Sequence, residues 1–143
     1  DGNQHLDHDT QQNHLAPHTT SDLLFKGALK GKSRSVWQGM IYVAKDAQKT
    51  DGYQANRNLV LSDQARADSI PGLEILADDV RCTHGATVGK LEQEPLFYLK
   101  SRGIPQAEAE KIVVEGFFDP IFQRIPFEGV RERFQQYIAD KMA

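Results

Sequence analysis

An all-β domain with a helical appendage is the fold class the sequence predicts, divided into residues 1–89 and residues 90–143. Three observations predict it. From Leu6 to about Val88 the apolar residues come in short extended runs, and no 3.6-residue stripe persists. Gly, Pro, Asp, Asn and Ser separate those runs, residues that favour turns through positive φ or side-chain-to-backbone bonding. After Gly89 the apolar spacing changes to one that suits short amphipathic helices.

The strand runs are, in order, Leu23-Leu24-Phe25, Val36-Trp37, Met40-Ile41-Tyr42-Val43, Leu59-Val60-Leu61, Leu73-Glu74-Ile75-Leu76, Val80 and Val88. Gly27, Gly31, Gly39, Gly52, Pro71, Gly72 and Gly85 are read as the turns between strands. A sandwich would favour two-residue hairpin signals, and Asp51-Gly52 is one of few here. Short strands with polar corners suit a parallel β-helix better, each rung stacking on the next. Beyond Gly89, Leu91 to Leu99 make a short helix stopped by Gly103. Pro105 opens a second helix with Glu108 and Glu110 near its positive end. Asp119-Pro120 restarts a third through Ile121-Phe122, and a final helix from about Pro126 is expected to bury Val130, Phe134, Tyr137 and Ile138. Phe117, Phe118, Phe122, Phe127 and Phe134 exceed what four short helices can bury among themselves. Part of this surface is expected to cover the end of the β region, and the rest to form a docking face.

Composition narrows the function. A net charge of −3 with dispersed Lys and Arg argues against nucleic acid or an anionic membrane as partner. No apolar run reaches the ~18 residues of a membrane span. The single cysteine excludes an internal disulfide, so a cytosolic setting is the expectation. The opening Asp1-Gly2-Asn3-Gln4 reads as text cut from a longer protein.

Cys82 lies two positions before His84, and residues i and i+2 of a strand share a face. A thiolate beside an imidazole suits iron, zinc or an iron–sulfur cluster, but two ligands do not complete a site. The missing ligands would come from another subunit. Against this stands a purely structural role, since free cysteine is commonly a small core residue and His84 could be a corner residue of a rung. His5, His8, His14 and His18, interleaved with Asp7 and Asp9, resemble a metal cluster. On a strand, though, His5, Asp7 and Asp9 face one way and Leu6, His8 and Thr10 the other, which favours a polar ladder. Lys26-Gly27 and Lys30-Gly31-Lys32 lack the spacing of a phosphate loop, so ATP is not expected to bind this chain. Arg131-Glu132-Arg133 reads as a solvated helix face, and Trp37 with Met40 to Val43 as core.

Taken together, several motifs in order resemble the carboxy-terminal part of SufD-type subunits of the Suf iron–sulfur cluster assembly system. They are Lys26-Gly27-Ala28-Leu29, Ser35-Val36-Trp37-Gln38-Gly39, Thr50 through Leu59, Cys82 through Gly89, Leu96-Phe97-Tyr98-Leu99, Ser101-Arg102-Gly103-Ile104 and Gly116-Phe117-Phe118. The resemblance implies a right-handed parallel β-helix followed by helices, in a subunit that is not itself an enzyme. It implies pairing with a SufB-type subunit and docking of an ABC-type, SufC-type ATPase through the helical end, with Leu96, Phe97, Phe117, Phe118 and Phe122 as candidate contacts. A transient iron–sulfur cluster would sit at the subunit interface, with His84 and Cys82 as candidate ligands. The isolated chain would hold no cofactor, and ATP would act only through the ATPase. SufB-type chains carry a cysteine where Asn56 stands and a glutamate where Gly85 stands, which makes this chain resemble the D-type partner. The implied location is the cytoplasm, or the plastid stroma in a plant, and the fragment could pair with itself.

Two other functions compete. A stand-alone metal-binding or metal-sensing protein would use Cys82 and His84 directly. A β-helix polysaccharide hydrolase would need paired carboxylates, for which Asp78-Asp79 is the one adjacent pair in the strand region.

Overall fold

Residues 2–142 are described by the structure, a computed structural model. Six ten-residue strands come first: β1 (His5–His14), β2 (Thr20–Leu29), β3 (Arg34–Val43), β4 (Asp51–Val60), β5 (Arg66–Ile75) and β6 (Arg81–Lys90). Three helices follow: α1 (Gln93–Ser101), α2 (Gln106–Phe122) and α3 (Glu128–Met142). The chain divides between Lys90 and Leu91 into two compact units.

Odd and even strands separate into two sheets, β1-β3-β5 and β2-β4-β6, and every pairing is parallel. The registers His5 with Arg34 with Arg66, and Thr20 with Asp51 with Arg81, show that each circuit returns the chain to the same place one strand further on. Parallel neighbours need such crossovers, and here each crossover is a strand of the other sheet. The parallel stacking expected from the sequence is therefore present. The strands form two three-stranded sheets, neither of them closed or curled.

The largest departure from the sequence reading concerns glycine. Of the presumed turn residues Gly27, Gly31, Gly39, Gly52, Pro71, Gly72 and Gly85, only Gly31 lies in a turn, and the others sit inside strands. They make room rather than bends. A Cβ on Gly39 would lie 2.6 Å from Gln54 Oε1 and closer still to the Trp37 ring, and one on Gly72 would lie 2.7 Å from Met40 Cε. Pro71 is tolerated because β5 is an edge strand, where one side of the ladder is unpaired. Gly31 has φ +70 and a backbone neighbour, Gly2 N, 2.9 Å from where a Cβ would be, so only glycine fits there. Elsewhere the corners use His18 (φ 59) and Lys49 (φ 62), left-handed residues at matching places in successive circuits. Their amides bond the next circuit, His18 N to Gln48 O at 2.9 Å and Lys49 N to Asp79 O at 2.6 Å.

The facing sides of the sheets form the interior. Ile41, Val43, Ala47 and Ala77 make an apolar cluster, with Leu73, Val80 and Cys82 packed against it. Burying a side chain such as Ile41 stabilises by about 1.5–3 kcal/mol. Trp37 is buried as expected, while Met40 and Tyr42, on the opposite face of β3, are half-buried. The rest of the interior is polar and links the sheets. Gln54, fully buried, donates from Nε2 to Gly39 O at 3.2 Å and Gly72 O at 3.0 Å. Asn58 Nδ2 donates to Asn56 Oδ1 at 2.6 Å, and the Ser69 hydroxyl from β5 donates to the same oxygen. A buried amide left unpaired would cost more than these bonds contribute, which is why they occur together.

In the helical unit, α1 ends as its sequence dictates. Gly103 takes φ +85, Gly103 N bonds Lys100 O at 3.0 Å, and Ile104 N bonds Leu99 O at 3.2 Å, the paired closure of a Schellman motif. Pro105 is extended and precedes α2 rather than opening it. The expected break at Asp119-Pro120 is absent, and α2 runs through Pro120 to Phe122. Pro120 lies in the last turn, so only two helical residues follow the ladder bond its missing N–H removes. Leu96, Ala109, Val114 and Phe122 are the buried residues of this unit. The burial expected of α3 is overturned: Val130, Phe134 and Tyr137 are exposed, Ile138 is partly covered, and no described residue of α3 is buried. Its stripe has helical spacing, but α2 meets α3 without burying it.

A candidate ligand pair on the edge strand

β6 closes the second sheet at one edge, and no described strand pairs with its outer side. In register, Cys82 lies beside Gly52 and Ser21, His84 beside Gln54 and Leu23, Ala86 beside Asn56, and Val88 beside Asn58. Since Gln54, Asn56 and Asn58 are buried, this row is the inner face, and Cys82 and His84 share it as the i, i+2 spacing predicts. The structure separates them by exposure. His84 is exposed, whereas Cys82 is half-buried against the Ile41 cluster, with its Sγ 3.2 Å from the position a Gly52 Cβ would take. Asn56 is buried inside the sheet pair, and Gly85 has nothing within 4 Å of its would-be Cβ.

The amino-terminal histidines do not converge. His5 lies on the outer face with Asp7 and Asp9, His8 packs edge-on against Phe25 at 5.6 Å, and His18 sits in a corner. Among the described residues no group of three or more His, Cys, Asp or Glu is placed to hold a metal. Asp78 and Asp79 lie in the turn before β6, and Asp79 is ion-paired with Lys49, which removes the facing carboxylates a hydrolase would need.

His14 is the residue whose setting the sequence did not reveal. It is buried, with Nδ1 2.6 Å from Thr19 Oγ1 and Nε2 2.8 Å from Ser21 Oγ. Thr50 Oγ1 donates to Ala47 O at 2.9 Å, so it accepts from Thr19 Oγ1, 3.1 Å away, while Thr19 also reaches Ala16 O at 3.2 Å. Thr19 therefore spends its proton on these acceptors and receives one from His14 Nδ1. On the other side Gln12 Nε2 donates to Ser21 Oγ at 2.6 Å, and Ser21 Oγ is hydrogen-bonded to His14 Nε2. The bonds place a proton on Nδ1 of the imidazole, facing Thr19. No linear pattern announces it, because the turn at residues 15–19 brings the partners together.

Charge on the surface of the sheets is local. Arg66 and then Arg34 hydrogen-bond Asp68 and hold its carboxyl below the ordinary carboxylate range, tying β5 to β3. Lys90 does the same to Asp63, first by its hydrogen bond and then by its charge. In the helical unit, Leu96 and Phe122 are 3% and 4% exposed and belong to its interior. Phe117 and Phe118 are half-buried and meet edge to face at 5.1 Å, and Phe97 is 75% exposed.

Parallel strands stacked circuit upon circuit, ending in an edge strand that carries a thiol and an imidazole, define a class of stacked parallel-strand protein. Comparison with known proteins gives the family. The family model for the SUF system FeS cluster assembly, SufBD core domain, matches residues 1–117. An iron–sulfur cluster assembly SufBD family protein of Mycobacterium tuberculosis (strain ATCC 25618 / H37Rv) is 42% identical over 150 residues, 99% of this chain and 38% of that protein. The iron–sulfur cluster assembly protein SufD of Escherichia coli (strain K12) is 40% identical over 83% of the chain and 28% of its own length. SufD of Bacillus subtilis (strain 168) is 37% identical over 93% of the chain and 30% of its own length. The chain belongs to the SufBD core family of the SUF iron–sulfur cluster assembly system, as a SufD-type member. It spans less than two-fifths of the length of these curated relatives.

Proposed function

We propose that this chain is part of a non-catalytic scaffold subunit on which an iron–sulfur cluster is assembled. It pairs with a SufB-type subunit along the free edges of β5 and β6. The carrying observation is that His84, in a SufBD core chain, is exposed on the inner face of an unpaired edge strand. An unpaired strand is a template for another chain, and two ligands need partners from outside to complete a cluster site. His84 is the primary ligand in this reading and Cys82 a secondary one. The cluster is cargo, built at the shared edge and passed on, and the isolated chain retains none. The two sheets are read as adjoining faces of a right-handed parallel β-helix belonging to a longer protein that works in the cytoplasm or the plastid stroma.

The helical unit docks an ABC-type ATPase, through which alone ATP acts. Phe97 supplies the exposed contact, Phe117 and Phe118 shape it, and Leu96 and Phe122 support it from within. Nucleotide-driven movement of the ATPase would then shift the paired scaffold between two arrangements of different nucleotide affinity.

Iron, sulfide and zinc analysis of the purified chain, alone and after mixing with a SufB-type subunit, tests this reading. Metal is expected only in the mixture, and His84→Ala is expected to lose most of it. Tight binding by the chain alone would replace the scaffold reading with a stand-alone metal-binding protein.

A further inference from the structure

Gly52 is buried in β4, in register between Ser21 of β2 and Cys82 of β6. The point where its Cβ would stand is 3.2 Å from Cys82 Sγ, 3.4 Å from Ile41 Cγ2 and 3.5 Å from His14 Nε2. Sulfur, methyl and imidazole thus converge on a place where the chain has no side chain. From these observations we propose that Gly52 is a positioning residue: the gap over its α-carbon is the seat of the Cys82 sulfur and holds the thiol inward, away from the open side where His84 is exposed. The proposal rests on the reading of Cys82 and His84 as the cluster-facing pair, and it divides their work. His84 is presented to a partner at all times, and Cys82 only when its sulfur leaves the seat.

The three neighbours differ in their freedom to move, and that decides what a side chain at position 52 would do. Ile41 is fully buried in the apolar cluster. The His14 ring is held at both nitrogens, by Thr19 and Ser21. Cys82 lies on the edge strand, half-buried and free of a rung above it. A Cβ 3.2 Å from sulfur is tighter than ordinary contact, so one neighbour must yield by a few tenths of an ångström. Cys82 can yield by turning about χ1 toward solvent. The glycine is not needed for its backbone, since its φ lies outside the left-handed region.

Alkylation of Cys82 by iodoacetamide under native conditions, in the full chain and its Gly52→Ala variant, tests the seat without any metal or partner. The variant is expected to react roughly tenfold faster, the order set by the packing strain of one added methyl group. An unchanged or slower rate in a folded variant would overturn the proposal. Thermal melting of Gly52→Ala in the Cys82→Ala background is the second arm. Removing the sulfur is expected to restore most of the stability that Gly52→Ala loses, and to rescue folding should the single variant fail to fold. An equal loss in both backgrounds, or no rescue, would place the clash on Ile41 or His14 and overturn it. If instead His84→Ala leaves metal uptake in the mixture with the SufB-type subunit intact, the ligand reading fails while the seat stands.

Discussion

His14 shows how much chemistry one interior side chain can organise. With a proton on Nδ1 directed at Thr19 and Nε2 hydrogen-bonded to Ser21, the ring joins β1, β2 and the corner before β4. Two-dimensional nitrogen–proton NMR of the imidazoles near pH 8 is expected to find His14 as the Nδ1–H tautomer. His14→Ala leaves the Ser21 and Thr19 hydroxyls without their partner and is expected to cost about 2 kcal/mol in urea unfolding, within the range for stranded buried groups. The sequence made the shared face of Cys82 and His84 legible, because strand geometry fixes it within three residues. It could not show that one is sheltered and the other open. That difference depends on which strand ends the stack and on the absence of a side chain thirty positions away at Gly52.

Among the elements, the strands were half legible. Apolar runs marked where β2, β3, β5 and the end of β4 lie, but β1, β6 and most of β4 are too polar and glycine-rich to announce themselves, since their inner rows carry His14, Gln54, Asn56, Asn58 and His84. Glycine misled for the same reason, its usual role in turns masking a role in close approach. Gly39→Ala is expected to destabilise by about 3 kcal/mol or more by denaturant titration, because the buried Trp37 ring cannot retreat. Gly85→Ala, with open space around it, is the control, expected to fall within about 0.5 kcal/mol of the parent. The ladder of Arg34, Asp68 and Arg66 adds a pH dependence. The folded Asp68 carboxyl titrates below its ordinary value because Arg66 and Arg34 bond it. Its contribution is therefore present above the unfolded value of about 4 and is lost as pH falls through the lower folded one. Melting temperatures followed from about pH 5 to about pH 2 are expected to fall less steeply for Asp68→Asn than for the parent.

For the molecule as a whole, function attaches to the two units differently. The strand unit offers an edge, and the helical unit offers exposed aromatic surface. Phe97→Ser, at a 75% exposed position, is expected to leave the melting temperature unchanged while weakening capture of the ATPase subunit in a pull-down. Undiminished capture would remove Phe97 from the docking face. Phe117→Ala is less clean, because Phe117 packs on Phe118 and its loss disturbs the unit itself. The division into strand and helical parts was readable from the change in apolar spacing, yet α3 was misread, since a helical stripe reports which residues share a face and not whether anything covers it. A last consequence follows from the registers, in which each strand repeats its neighbour's position 29 to 32 residues later, as from His5 to Arg34 and from Arg34 to Arg66. Length change in such a chain is quantised. Tandem duplication of one whole circuit would keep every inward residue inward, whereas deleting a single residue from β4 would turn Gln54, Asn56 and Asn58 out to the solvent and bring Arg57 in.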